Sequence, residues 1–138
     1  MKLVIYLISF QMLFSLLSSA QSAPYNVVFD ITSKDSADQK AVIRWVKAIT
    51  KSNSSAQLEV VLYGQSLDMV TQGKSTVASD VTGLLENKNV SFKVCEIALK
   101  HHNLGKEQLL AGVQTVPDGI YEIITKQGNG WGYIKVSH

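Results

Sequence analysis

The feature that most constrains this chain is a recurring alternation of short apolar runs with stretches of helical period. The runs are Tyr25-Asn26-Val27-Val28-Phe29-Asp30-Ile31, Leu58-Glu59-Val60-Val61-Leu62-Tyr63, Val90-Ser91-Phe92-Lys93-Val94-Cys95, Val113-Gln114-Thr115-Val116 and Trp131-Gly132-Tyr133-Ile134-Lys135-Val136. They have the length and the β-branched content of strands. The first is nearly continuous in its apolar character, as expected of a strand covered on both faces. Between the runs, apolar residues recur every three or four positions: Ala41, Val42, Trp45, Val46 and Ile49, then Val77, Val81, Leu84 and Leu85, then Ile120, Ile123 and Ile124. Strands separated by helices imply parallel pairing with right-handed crossovers. The expected fold is α/β: a three-layer α/β/α sandwich with a five-stranded parallel sheet.

Punctuation residues refine this outline. Ser36-Ala37-Asp38-Gln39 reads as a capping box that opens the first helix. Gly64 stops the second strand, and a short helical turn follows at Leu67, Met69 and Val70. A short helix is expected over 96–102 and a further turn over 106–110. Pro117 suits the first turn of the last helix, where no amide bond is lost. Ile120, Ile123 and Ile124 are expected as the buried face of that helix, with Gly128 as its stop.

The segment before these elements has a different character. Met1-Lys2 leads into an apolar run over 3–17, broken by Tyr6, Ser9, Gln11 and Ser15 and followed by Ser18-Ser19-Ala20. A basic start, an apolar centre and a small-x-small exit describe a secretory signal peptide. Residues 1–20 are expected to be that signal and 21–138 a single domain, periplasmic or secreted and free of the membrane after cleavage. The alternative, an uncleaved anchor, falls short of the roughly 20 apolar residues that a span requires.

Lys and Arg total 13 and Asp and Glu 11, for a net charge of +2. That balance is too even to indicate nucleic acid or a polybasic membrane surface. The single cysteine excludes an intramolecular disulfide and a multi-cysteine zinc site.

Open parallel sheets bind ligands beyond the carboxyl ends of their strands. Four segments converge there: Thr32-Ser33-Lys34-Asp35, Tyr63-Gly64-Gln65-Ser66, Cys95-Glu96, and Thr115-Val116-Pro117-Asp118-Gly119. The only thiol therefore falls where a site is expected. At a helix N-terminus a thiol meets unpaired amides and the positive dipole end, which favour thiolate, while Glu96 opposes it. The plainer reading makes Cys95 a small buried hydrophobe at the end of a strand. His101 and His102 follow by six and seven residues, and Cys95 with either imidazole has the chemistry to bind a soft metal such as copper. The plainer reading is two solvated histidines at a helix C-terminus, where partial positive charge is favourable. Caps and turns are the simple explanation of Asp35 and Asp118. Gly64 lacks the further glycines of a phosphate-binding fingerprint, and no Gly-x-Ser-x-Gly elbow is present.

From Tyr25 to Val136 the chain resembles the DsrE/DsrF-like sulfur-relay family, in its exported single-domain branch. The likeness is carried by Glu59-Val60-Val61-Leu62-Tyr63-Gly64, Asn89-Val90-Ser91-Phe92-Lys93-Val94-Cys95, Val116-Pro117-Asp118-Gly119-Ile120-Tyr121-Glu122-Ile123, and Gln127-Gly128 followed by Trp131-Gly132-Tyr133-Ile134-Lys135. The resemblance implies a homo-oligomer, trimer or hexamer, with no metal or organic cofactor. It implies that Cys95 carries sulfur as a persulfide and passes it to a partner protein thiol. Tyr63, Gly64, Gln65, Pro117 and Asp118 are the accompanying substrate-binding candidates. The alternative is a non-catalytic oligomeric binding protein, holding a soft metal through Cys95 and His101 or His102.

Overall fold

The apolar runs become five strands, β1 (Asn26–Ile31), β2 (Gln57–Leu62), β3 (Val90–Cys95), β4 (Gln114–Val116) and β5 (Gly132–Val136). The computed structural model describes residues 23–137, so the expected signal peptide over 1–20 and His138 lie outside the described residues. The helices are α1 (Ser36–Ser52), α2 (Ala78–Leu85), α3 (Glu96–His101) and α4 (Gly119–Gly128), with 3-10 turns at Ser66–Val70 and Lys106–Gln108. All strand pairs are parallel, in the order β4-β3-β2-β1-β5. Among the described residues no helix is long and apolar enough to cross a membrane.

The register aligns Ile134, Phe29, Val60 and Phe92 across β5, β1, β2 and β3. Because side chains alternate along a strand, such aligned residues share one face of the sheet. On that face Phe29, Ile31, Leu58, Val60, Leu62, Phe92 and Val94 pack beneath Val42, Ile43 and Val46 of α1, Val81 and Leu84 of α2, and Ala98 and Leu99 of α3. Each fully buried aliphatic or aromatic side chain contributes about 1.5–3 kcal/mol of transfer free energy, so this face supplies most of the hydrophobic stabilisation. The opposite face is covered by α4 and is built differently. Its apolar part is small, with Val28 and Val61 against Ile123 and with Tyr63 and Trp131 at the margin. The remaining inward positions carry charge.

That charged layer centres on Glu59, which is 1% exposed. Its Oε2 meets Lys93 Nζ and Lys126 Nζ, each at 2.9 Å, and Lys93 also reaches Glu122 Oε1 at 2.8 Å. Glu59 Oε1 has no hydrogen-bond partner although it is buried. Burial opposes the charge of Lys93, but its hydrogen bonds to Glu122 and Glu59 outweigh burial and raise its pKa above the ordinary lysine value. Glu122 moves the other way: burial disfavours its charge, and the hydrogen bond from Lys93 leads the contributions that lower its pKa. The helix is thus held to the sheet by ion pairs as much as by apolar contact.

Three local expectations are corrected. The N-cap of α1 is Asp35, whose side chain accepts from the Ala37 amide at 2.7 Å, in place of the Ser36/Gln39 capping box. Pro117 lies ahead of the last helix, whose N-cap is Asp118 and whose first residue is Gly119. Of the three isoleucines expected to face inward from that helix, only Ile123 is buried; Ile120 and Ile124 are 56% and 57% exposed. The charged floor beneath α4 takes the inward positions and leaves these apolar side chains outside.

Candidate functional site

The topology opens a crevice at one place. The chain leaves β1, β2 and β3 toward the face covered by α1, α2 and α3, whereas after β4 it crosses to the α4 face. β3 and β4 are neighbours, so their carboxyl ends diverge to opposite sides of the sheet, and such a switch point is where open α/β sheets bind ligands. The last residue of β3 is Cys95, paired with Val116 of β4.

Two glycines shape this crevice. Gly64, directly after β2, has φ +62°, and a Cβ there would lie 3.2 Å from Thr32 Cβ and 3.3 Å from Thr32 O. Only glycine adopts this turn without strain. The turn is then pinned by the Gln65 amide on Thr32 O (2.9 Å) and by Ser66 Oγ, which donates to Ile31 O at 2.8 Å. Gly119, the first residue of α4, lies over the thiol: a Cβ at this position would stand 3.0 Å from Cys95 Cβ, 3.2 Å from Val61 Cγ1 and 3.7 Å from Cys95 Sγ. The first turn of α4 can approach Cys95 because position 119 has no side chain.

Around Cys95 is a cavity of about 460 Å³. The end of β2 contributes Tyr63, Gly64 and Gln65, α3 contributes Ile97, Ala98, His101 and His102, and the start of α4 contributes Asp118 and Ile120. Cys95 itself is 5% exposed, forms no disulfide and borders this cavity. Of the residues expected at a site, Tyr63, Gly64, Gln65, Cys95, Asp118, His101 and His102 share the cavity, while Pro117 is exposed and does not line it.

The polar groups nearby have defined tasks. Asp118 accepts from the amides of Ile120 (2.9 Å) and Tyr121 (3.2 Å) and so caps α4. Glu96 turns to Lys106 and Thr115 and away from the thiol; these hydrogen bonds, from Lys106 above all, hold its carboxyl below the ordinary glutamate value. His102 Nε2 lies 2.6 Å from Gly64 O. A carbonyl can only accept, so Nε2 carries the proton and is spent on this bond. His101 lines the cavity with no such tie. Among the described residues no three histidine, cysteine or carboxylate side chains gather into a metal-binding group.

Asp30, the next-to-last residue of β1, has a role that sequence reasoning missed. Its buried carboxylate accepts from Tyr133 Oη at 2.6 Å and Lys135 Nζ at 2.9 Å, and Lys135 also reaches Thr32 Oγ1 at 3.1 Å. The Lys135 ammonium stands 5.6 Å from the centre of the Tyr63 ring. Burial first, and then the Asp30 charge and hydrogen bond, raise the pKa of Tyr63 far above the tyrosine range. Tyr133 is pushed up to about 12, chiefly by its hydrogen bond to Asp30. Both stay neutral phenols at neutral pH, and Tyr63 presents its ring to the thiol cavity as a non-ionising wall. The β1–β5 register Asp30↔Lys135 would have revealed this cluster, but it requires knowing that the last strand returns beside the first.

A parallel five-stranded sheet with its one thiol at the switch point defines an α/β protein of thiol-bearing type. The DsrE/DsrF-like family model matches residues 26–136, and the chain belongs to that family. Among solved structures it is similar to MTH1491, a protein of unknown function from Methanobacterium thermoautotrophicum, with 30% identity and a TM-score of 0.76 over 80% of this chain and 98% of that one. It is also similar in fold to the ychN protein of E. coli (14% identity, TM-score 0.68, 81% and 98% covered). A third likeness is to BT1422 of Bacteroides thetaiotaomicron, a conserved protein of unknown function (13%, TM-score 0.70, 84% and 98%). No curated protein matches the sequence.

Proposed function

We propose that this protein is a sulfur carrier of sulfurtransferase type, in which Cys95 accepts a sulfane sulfur as a persulfide and passes it to the thiol of a partner protein. The family association with sulfur relay supports the reading. The observation that carries it is the position of Cys95, at the floor of a cavity that opens where β3 and β4 diverge. A thiolate there attacks the outer sulfur of a donor and expels the donor thiolate. A second thiolate then takes the terminal sulfur from Cys95. The walls beside the thiol are largely apolar, with Ile97, Ala98 and Ile120 among them. The reading extends to an exported protein, on its N-terminal sequence, and to a homo-oligomer, on the exposed Ile97, Ile120, Tyr121 and Ile124 beside the cavity.

The test is intact-mass analysis after incubation with polysulfide and, separately, with a low-molecular-weight organic persulfide. The wild type is expected to gain the mass of one sulfur atom, removable by a reducing thiol, and Cys95→Ser to gain none. A wild type that gains no sulfur under conditions that load a known persulfide carrier refutes the reading. The soft-metal alternative is weakened by the engagement of His102 Nε2 with Gly64 O. Equal copper(I) affinity in wild type and Cys95→Ala would remove the thiol from any such site.

A further inference from the structure

The cavity above Cys95 continues into a second hollow. Gln65 and His102 line both, and the second, of about 290 Å³, also takes in Lys34, Asp68 and Lys74. Lys34 and Gln65 then border an open depression at the start of α1. The chemistry changes along this trough. Near the sulfur the walls are Ile97, Ala98 and Ile120, with the Asp118 carboxylate at the edge. At the outer end stand Lys34 and Lys74 with two carboxylates, Asp68 and, in the depression, Asp35, which is engaged in capping α1. Lys34 is exposed and has no ion-pair partner among the described residues, and Lys74 meets Asp68 at 3.4 Å with both side chains more than half exposed.

This separation selects among sulfur donors. Burying charge against apolar walls is costly, so a donor whose charge is concentrated at its sulfur atoms, such as thiosulfate or a polysulfide dianion, is disfavoured beside Ile97, Ile120 and Asp118. An organic persulfide reacts as electrophile in its neutral R–S–SH form, whereas thiosulfate stays charged, so one with an uncharged carbon stem behind the reacting sulfur and carboxylates further out suits both ends. We infer that the donor to Cys95 is a carboxylate-bearing organic persulfide of low molecular weight, its outer sulfur in the apolar cavity and its carboxylates on Lys34 and Lys74. The inference rests on the persulfide reading of Cys95. The step balances without an oxidant: the Cys95 thiolate bonds to the outer sulfur of R–S–SH, the S–S bond breaks, and R–S⁻ leaves and takes up the proton that Cys95 released. The products are Cys95–S–SH and R–SH.

The experiment compares the rate of sulfur loading on the full chain, by intact mass, from glutathione persulfide, from 2-hydroxyethyl persulfide, whose stem is uncharged, and from thiosulfate. The wild type is expected to load faster from glutathione persulfide, by roughly tenfold, as two exposed charge contacts allow. The double variant Lys34→Ala/Lys74→Ala is expected to lose most of that preference and keep its rate with 2-hydroxyethyl persulfide. High salt should erode the preference in the wild type itself, which tests the same contacts without a substitution. Equal rates from the two persulfides, a preference untouched by both the double variant and salt, or faster loading from thiosulfate would overturn the donor class while leaving the persulfide on Cys95 in place. Absence of loading from every donor overturns both.

Discussion

Gly119 and Cys95 occupy adjoining space: the position a Cβ would take on Gly119 is 3.0 Å from the Cβ of Cys95. That neighbour is fixed by its own strand, and the next nearest, Val61 Cγ1, is buried in the sheet. Gly119→Ala therefore forces α4 away from β3. The cost of such overpacking is about 1–3 kcal/mol, offset in part by the better helix propensity of alanine. Urea unfolding should show a lower midpoint, and alkylation of Cys95 by a small neutral maleimide should change rate. An unchanged midpoint and rate would mean that the helix does not bear on the thiol.

The attachment of α4 to the sheet gives a second prediction. Glu59 Oε2 is shared by Lys93 and Lys126, both more than four-fifths buried at the side chain. Removing one partner of a buried ion pair leaves the other charge uncompensated, which typically costs about 3–5 kcal/mol. Glu122 still holds Lys93 at 2.8 Å and lies 3.8 Å from Lys126, so Glu59→Ala should fall toward the lower end of that range. Denaturant unfolding measures it. A loss well under 1 kcal/mol would show that α4 is held by Ile123 and Trp131 alone.

Stability should depend on pH at both ends, for separable reasons. Glu122 and Glu96 have pKa values below the ordinary 4.5. Their contribution is present above that value and lost as pH falls through the depressed folded values, so acid destabilises. Lys93 lies above its ordinary 10.5, and Tyr133 is raised from 10.0 to about 12. Their contribution is complete below the unfolded values and lost as pH rises through the folded ones. Unfolding midpoints across pH should thus form a plateau from about 5 to 10, with a fall on each side. Tyr133→Phe should shallow the alkaline fall and leave the acid fall unchanged. An identical alkaline limb would separate Tyr133 from Asp30 in solution.

The sheet was legible because its strands are short apolar runs bounded by Gly64, Asn87-Lys88-Asn89 and Gly128, and α1 because Val42, Val46 and Ile49 keep a clean helical period. The position of Cys95 at the sheet rim followed directly from that reading. What the period misjudged is α4. Periodicity finds an apolar stripe but assumes that it points inward, and here the stripe of Ile120 and Ile124 points out because Glu59 and Lys93 occupy the floor beneath. The alternation Leu58-Glu59-Val60 and Ser91-Phe92-Lys93 held the signal: two adjacent strands with polar residues on the same face. The N-cap of α1 was misplaced by one residue because Asp35 and Ser36 are both good caps, and only the hydrogen bond to Ala37 decides between them.

The same outward stripe motivates the last prediction. Ile97 of α3 and Ile120, Tyr121 and Ile124 of α4 are each more than half exposed, on two helices that meet at the cavity mouth. Apolar side chains grouped in this way on a chain of even charge favour association. If the homo-oligomer forms through them, Ile124→Asp, which places a charge in that surface, should lower the mass found by analytical ultracentrifugation. Its far-UV circular dichroism should stay that of the wild type. The substitution lies outside the walls of the cavity, so sulfur loading of the dissociated chain shows whether Cys95 needs a neighbouring copy: an unchanged rate assigns the whole site to one chain, and a reduced rate makes the assembled form the active one. A wild type that sediments as a monomer would remove the oligomer from the proposal and leave the cavity open to solvent along this edge.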